Sequence, residues 1–214
     1  MIRSLRHIIL PIVLLASISM QAQGLDYRIL KSLESHRTPT MDKVMTFVSN
    51  TLVVAPVVPA SQAVVGIAAD QSSVKIDALE SLTALGINQC ATSLTKNVVR
   101  RPRPYVKYEG DLEPVHTTFG YSFPSGHSSI AFATATALSL EYPRWYVVAP
   151  SMLWAGSVAF SRLYLGVHYP SDVLTGALLG ASSAYVAHLC YQKQREQLGL
   201  PEVKGFVVPI VLTF

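Results

Sequence analysis

The chain reads as an all-α, membrane-embedded bundle of about five to six helices, on three observations. Half of its 214 residues are hydrophobic and only 14% are charged, against about 25% charged in an ordinary soluble domain. Mean hydropathy is positive, at +0.35, as bilayer-spanning chains require. The apolar residues fall into long helix-compatible stretches divided by short polar segments rich in Pro and Gly. A soluble, Ala-rich bundle is the alternative that composition alone permits. The length suits one domain with a sizeable core.

The elements follow in order. Residues 1–23 carry Arg3 and Arg6, a 13-residue apolar run over 8–20, and a polar exit. That run is shorter than the ~20 residues of a span and reads as a secretory signal peptide, or else an uncleaved N-terminal anchor. Over 25–37 the apolar residues Leu25, Ile29, Leu30 and Leu33 recur at helical spacing, giving an amphipathic helix on the membrane surface or against the bundle. Thr38, Pro39 and Thr40 break it. A long apolar stretch over 44–69 contains Pro56 and Pro59, a polar turn covers 70–75, and a helix over 76–94 leads into Lys96. Prolines and glycines make 101–123 a loop. Apolar helices follow over 128–140, 145–160 and 173–190, the last with Gly176 and Gly180 spaced for close helix packing. Several of these stretches are only about 13–18 residues, short for a span. Residues 24–200 form the bundle, and 201–214 a C-terminal tail. Cys90 and Cys190, in apolar small-residue stretches without metal spacing, are expected as buried free thiols.

Chain direction provides an independent check. With the mature N-terminus outside, successive spans place 96–123 and then 161–172 on the outer face. Lys193 and Arg195 remain on the inner face, as positive charge prefers. Three polar motifs thus share one face, and the expected location is a bacterial-type inner membrane with the site toward the periplasm.

Those motifs carry chemistry. Lys96, Arg103 and Arg162 are three cations suited to a phosphate, arginine because its planar fork grips two oxygens at once. Ser125 and Gly126, after Pro124, open a helix whose free N–H groups and dipole favour an anion. Asp172 lies four residues after His168, which can aim a carboxylate at one imidazole nitrogen and raise the basicity of the other. His168 is therefore the candidate nucleophile, Asp172 its orienting partner and His127 the general acid. Arg100, Arg101 and Lys107 fit a juxtamembrane cluster that anchors lipid headgroups. His127, His168 and Asp172 also have ligand chemistry, but no H-E-x-x-H or paired carboxylate accompanies them and the arginines repel a divalent cation. The net charge of +4 forms no basic stripe interleaved with aromatics, which excludes a nucleic-acid surface.

The three motifs resemble the signature of the type 2 phosphatidic acid phosphatase superfamily: K-x6-R-P, then P-S-G-H, then S-R-x5-H-x3-D. The chain offers Lys96 to Arg103-Pro104, Pro124-Ser125-Gly126-His127, and Ser161-Arg162, His168 and Asp172. The resemblance implies a helical membrane bundle and metal-independent phosphatase chemistry through a phosphohistidine, with no cofactor. Lys96, Arg103, Ser125, Gly126 and Arg162 would hold phosphate, His127 would be the acid, and His168 with Asp172 the nucleophilic pair. It implies a phospholipid or glycolipid phosphate as substrate, with lipid A favoured ahead of undecaprenyl diphosphate and phosphatidylglycerophosphate. The superfamily also contains soluble acid phosphatases and vanadate-dependent haloperoxidases. A lipid-binding protein without catalysis is the remaining alternative.

Overall fold

The computed structural model describes residues 23–197 and Gly199; the signal-or-anchor segment and the tail lie outside the described residues, apart from Gln23. Helix α1 spans Gln23–Ser35, α2 Pro39–Asn50, and α3 Val54–Ala68 after a single 3-10 turn. Next come α4 over Ser72–Val99 and the short α5 over Pro104–Lys107. The chain then forms α6 over Gly126–Glu141, α7 over Trp145–Tyr164 and α8 over Pro170–Gln197. No strand occurs among the described residues. With α2 and α3 counted as one run there are six long helices, as the sequence pattern predicts.

Local chemistry sets the boundaries. Thr38 caps α2, its hydroxyl accepting the Met41 N–H, and Pro39 occupies the first turn where its missing donor is harmless. The Thr38-Pro39-Thr40 break is thus a helix restart. Asp70, with φ at 49°, turns the chain between α3 and α4, and Arg100, with φ at 50°, ends α4 in the left-handed conformation. Ser125 caps α6. The helices extend beyond the short apolar stretches because their polar ends continue the same backbone hydrogen bonding. Thus α4 and α8 each reach 28 residues, about 42 Å at 1.5 Å per residue.

The bundle is small and polar within and apolar without. Ala84, Ala137, Ala184 and Ala187 form one buried cluster, and Ala131, Ala135, Ala155 and Val158 another. Large apolar side chains, among them Phe47, Ile67, Leu82, Leu153 and Leu178, face outward, an arrangement suited to lipid rather than water. The runs Pro39–Ala68 and Pro170–Gln197 are long and apolar enough to cross a bilayer, at mean hydropathy 1.8 and 1.4. Both cysteines are exposed, not buried: their neighbours are apolar because that helix face looks outward.

α6 packs against α8, α7 and α4. Gly180 makes the α6–α8 contact possible, since a Cβ there would lie 2.0 Å from the Ser129 carbonyl oxygen; at Gly176 the separation from the Ser125 oxygen would be 2.5 Å. The spacing of these two glycines in the sequence thus finds its use. Interhelical bonds join the same surfaces, Ser128 Oγ to the Val173 carbonyl at 2.7 Å and Thr92 Oγ1 to Ser129 Oγ at 3.0 Å. Such bonds contribute about 0.6–2 kcal/mol each inside a membrane.

Candidate active site

Because successive helices run in alternate directions, the C-terminal ends of α4 and α7 meet the N-terminal ends of α6 and α8. The loops after α4 and α7 complete the cluster. Each residue that the motifs single out lies here: Lys96 is in the last turn of α4, Arg103 immediately precedes α5, Ser125, Gly126 and His127 open α6, Arg162 is in the last turn of α7, His168 lies in the loop before α8, and Asp172 is in the first turn of α8. One backbone bond, from the Ser125 N–H to the Asp172 carbonyl at 3.0 Å, ties the second motif to the third.

His168 is 2% exposed. Its Nε2 is 3.3 Å from Arg103 Nη1, whereas Nδ1 faces Asp172 Oδ2 at 3.6 Å and Ser122 Oγ at 3.5 Å. The Nδ1 distance is that of an ion pair, longer than a hydrogen bond, so the direct His–Asp bond expected from the spacing is not formed. Instead Asp172 Oδ2 accepts from Ser122 Oγ at 2.5 Å and from the Tyr169 N–H at 3.0 Å, and Oδ1 accepts from Arg101 Nη1 at 2.7 Å. These bonds fix the carboxylate beside Nδ1. Burial pushes the His168 imidazole down to about 4, against the opposing pull of Asp172, so the ring is neutral near pH 7. With Nδ1 toward a carboxylate, its proton belongs there, leaving the Nε2 lone pair toward Arg103.

The cations are arranged for an anion. Arg103 donates to the carbonyls of Gly120, Phe119 and Val167 at 2.8–2.9 Å, which aim its fork without neutralising it; burial lowers its pKa. Lys96 donates to the Tyr121 carbonyl at 2.7 Å. Arg162 Nη1 donates to Ser49 Oγ at 2.5 Å, and its buried Nε has no partner. None of the three forms a salt bridge among the described residues, whereas Arg101 and Arg195 each pair with acids. A Cβ built on Gly126 would meet nothing within 4 Å, so the space beside the first turn of α6 is open. His127 is half-buried, and burial first, then the Arg162 guanidinium, push its imidazole down to about 3. Among the described residues no three His, Cys, Asp or Glu side chains gather as a metal centre requires.

Sequence reasoning missed four residues. Ser49, on α2, holds Arg162; Ser122 bonds Asp172; and Asp26, on α1, bonds Arg101 and Ser171. Arg101 itself, read as a headgroup anchor, instead turns inward, bonding Asp172 and Asp26 with its guanidinium 3.8 Å from the Tyr169 ring centre. Its position two residues before Arg103 was the one available signal.

Known proteins are similar to this chain in sequence and in fold. An undecaprenyl-diphosphatase of Sulfolobus acidocaldarius is 39% identical over 87 residues, 41% of this chain and 41% of that protein. A lipid A 4'-phosphatase of Bacteroides thetaiotaomicron is 28% identical over 123 residues, 55% of each. The chain thus spans about half the length of these curated relatives. The crystal structure of a transmembrane PAP2-type phosphatidylglycerolphosphate phosphatase from Bacillus subtilis superposes with a TM-score of 0.69 at 26% identity, covering 86% of this chain and 94% of that one. The sequence model of the PAP2 superfamily matches residues 77–196, more than half of the chain and all but the first two of the long helices; the chain belongs to the PAP2 superfamily.

Proposed function

We propose that the protein is a membrane lipid phosphate phosphatase that works through a phosphohistidine, without a metal. One observation carries the reading: the imidazole of His168 is held between Asp172 on its Nδ1 side and Arg103 on its Nε2 side, beside cations that no acid neutralises. Lys96, Arg103 and Arg162, with the N–H groups that open α6 at Ser125 and Gly126, hold the phosphate oxygens. Nε2 attacks phosphorus, a P–N bond forms and the P–O bond to the lipid breaks, while His127, protonated once the phosphate's negative charge offsets the neighbouring guanidiniums, gives its proton to the leaving oxygen. Water then attacks phosphorus, His127 takes its proton, the P–N bond breaks and inorganic phosphate departs. Asp172 stabilises the charge on the imidazole throughout.

The apolar exterior and the likeness to a transmembrane phosphatase support a substrate presented from the bilayer. We place lipid A first because the Bacteroides lipid A 4'-phosphatase aligns over the longer stretch. Undecaprenyl diphosphate and phosphatidylglycerophosphate follow, on the other two relatives. The site faces the periplasm in this reading, with residues 1–23 acting as signal or anchor.

The test is phosphate release by purified, detergent-solubilised protein in EDTA, on lipid A, undecaprenyl diphosphate, phosphatidylglycerophosphate, phosphatidate and a soluble monoester. Release from a lipid that falls by several orders of magnitude in His168→Ala is the expected result. Release from the soluble ester alone points to the acid-phosphatase chemistry of the superfamily. Halide oxidation dependent on added vanadate, with no phosphate release, overturns the proposal.

A further inference from the structure

Helix α1 lies outside the three motifs, yet it is bonded to the loop between α4 and α6 and to the first turn of α8. Tyr27 Oη donates to Asp111 Oδ2 at 2.5 Å, and Glu34 Oε1 accepts the Glu113 N–H at 2.7 Å. Beyond its end, Arg37 Nε reaches the Tyr164 carbonyl at 2.8 Å. Leu30 packs with Leu112 and Tyr169 in a buried cluster. The bonds of Tyr27 and Glu34 are exposed, and contacts of that kind fix position without contributing much stability.

Asp26 is different. It is 2% exposed, although most of the residues around it on α1 are not buried. Its Oδ2 accepts from Arg101 Nη2 at 2.9 Å and Ser171 Oγ at 2.5 Å, and its Oδ1 accepts the Ser171 N–H at 3.1 Å. Arg101 in turn donates through Nη1 to Asp172 Oδ1 at 2.7 Å. The result is a row: Asp26, Arg101, Asp172, then His168. Two carboxylates share one guanidinium, so the row keeps one net negative charge beside the imidazole. Were Asp26 uncharged, Arg101 would pair with Asp172 alone and cancel its field at His168. Within a buried site of low dielectric that field counts for far more than it would in water.

We propose that Asp26 is a positioning residue of the active site. Through Arg101 and Ser171 it holds the orienting carboxylate in place and preserves its charge, so that the N-terminal amphipathic helix belongs to the catalytic apparatus. This rests on the phosphatase reading above, in which His168 is the nucleophile.

The experiment compares wild type, Asp26→Asn, Asp26→Glu, Arg101→Gln and the Asp26→Asn/Arg101→Gln double variant. Each is purified whole in detergent and given the lipid phosphate that wild type hydrolyses fastest. Asp26→Asn is expected to lose about tenfold to a hundredfold in kcat, the usual range for removing a group that orients a reacting one, while KM changes less than about twofold. The rapid-quench burst of acid-labile phosphohistidine slows by the same factor, and the thermal midpoint stays near wild type. Asp26→Glu regains part of kcat. Arg101→Gln leaves two buried carboxylates with no cation between them, so it is the most damaged protein; the double variant, with one acid removed, exceeds it in both folded yield and kcat. The proposal is overturned by wild-type kcat in Asp26→Asn, by a loss explained wholly by unfolded protein, or by effects of the two substitutions that simply multiply. A wild-type protein that releases no phosphate overturns the phosphatase reading instead, and this one with it.

Discussion

The two ends of the bundle use buried charge in opposite ways. At the end opposite the active site, Arg195 on α8 pairs with Asp77 and approaches Glu80 at 3.6 Å, His188 Nδ1 meets Glu80 at 2.7 Å, and Glu141 accepts from Gln62 at 2.6 Å and Ser81 at 2.7 Å. Tyr142 adds a bond to Asp77 at 2.8 Å. There, cation meets acid and most polar atoms are satisfied. At the active-site end, Arg103 and Arg162 are as deeply buried, at 7% and 2% exposed, yet they face carbonyls and a hydroxyl. A buried ion pair holds helices in register, whereas a buried cation without an acid is a standing demand for an anion. Among the buried cations the contrast sets Arg195 and Arg101, which pair with acids, apart from Arg103 and Arg162, which do not.

Substitution can break this contrast. Arg162→Ala is expected to lower kcat/KM by about 10²–10³-fold, the effect of deleting one charge-stabilising donor, with the thermal midpoint unchanged or raised because a second buried cation no longer faces Arg103. A comparable fall in midpoint would place Arg162 in the structural class. Arg195→Ala should do the reverse. It leaves Asp77 and Glu80 buried without their arginine, destabilises by about 3–5 kcal/mol, and leaves the specific activity of the folded fraction intact; thermal melts in detergent beside activity per folded molecule decide it.

Acid sharpens the contrast further. His168 titrates at about 4 in the folded protein against 6.5 ordinarily. The unfolded chain therefore takes up the proton first, and stability present above pH 6.5 is lost as pH falls toward 4, by on the order of 3 kcal/mol. Melting midpoints across that window should decline in wild type and decline less in His168→Gln. Equal slopes would remove His168 as the source. The smallest effect is expected from Gly126→Ala: its Cβ enters open space, so the fold holds, while KM rises about tenfold, or 1.4 kcal/mol, from crowding the phosphate. Unchanged KM would move the anion away from the start of α6.

The sequence was most legible where function is local. K-x6-R-P, P-S-G-H and S-R-x5-H-x3-D each lie within one short segment, and helix periodicity with chain direction brought them to one face. It was least legible where a partner lies far along the chain. Asp26 meets Arg101 across 75 positions and Ser171 across 145, and no spacing rule links such residues. Ser49 and Ser122 are ordinary serines until the fold gives each one a neighbour. The cysteines mark a different limit. An outward, lipid-facing position and a buried one are both apolar, so hydropathy assigns Cys90 and Cys190 to the wrong side.

The bond from the Ser125 amide to the Asp172 carbonyl has a consequence for motion. It joins the start of α6 to the start of α8 by main chain, just beyond the glycine contact where the two helices touch. His127 and Asp172, the general acid and orienting carboxylate of the proposed mechanism, therefore ride on one block, and in that reading the breathing that admits a substrate comes from the other wall, the segment carrying Gly120 and Tyr121. Amide exchange should follow that division, slow at Ser125 and fast across the opposite segment; comparable rates on both sides would show that the block itself opens.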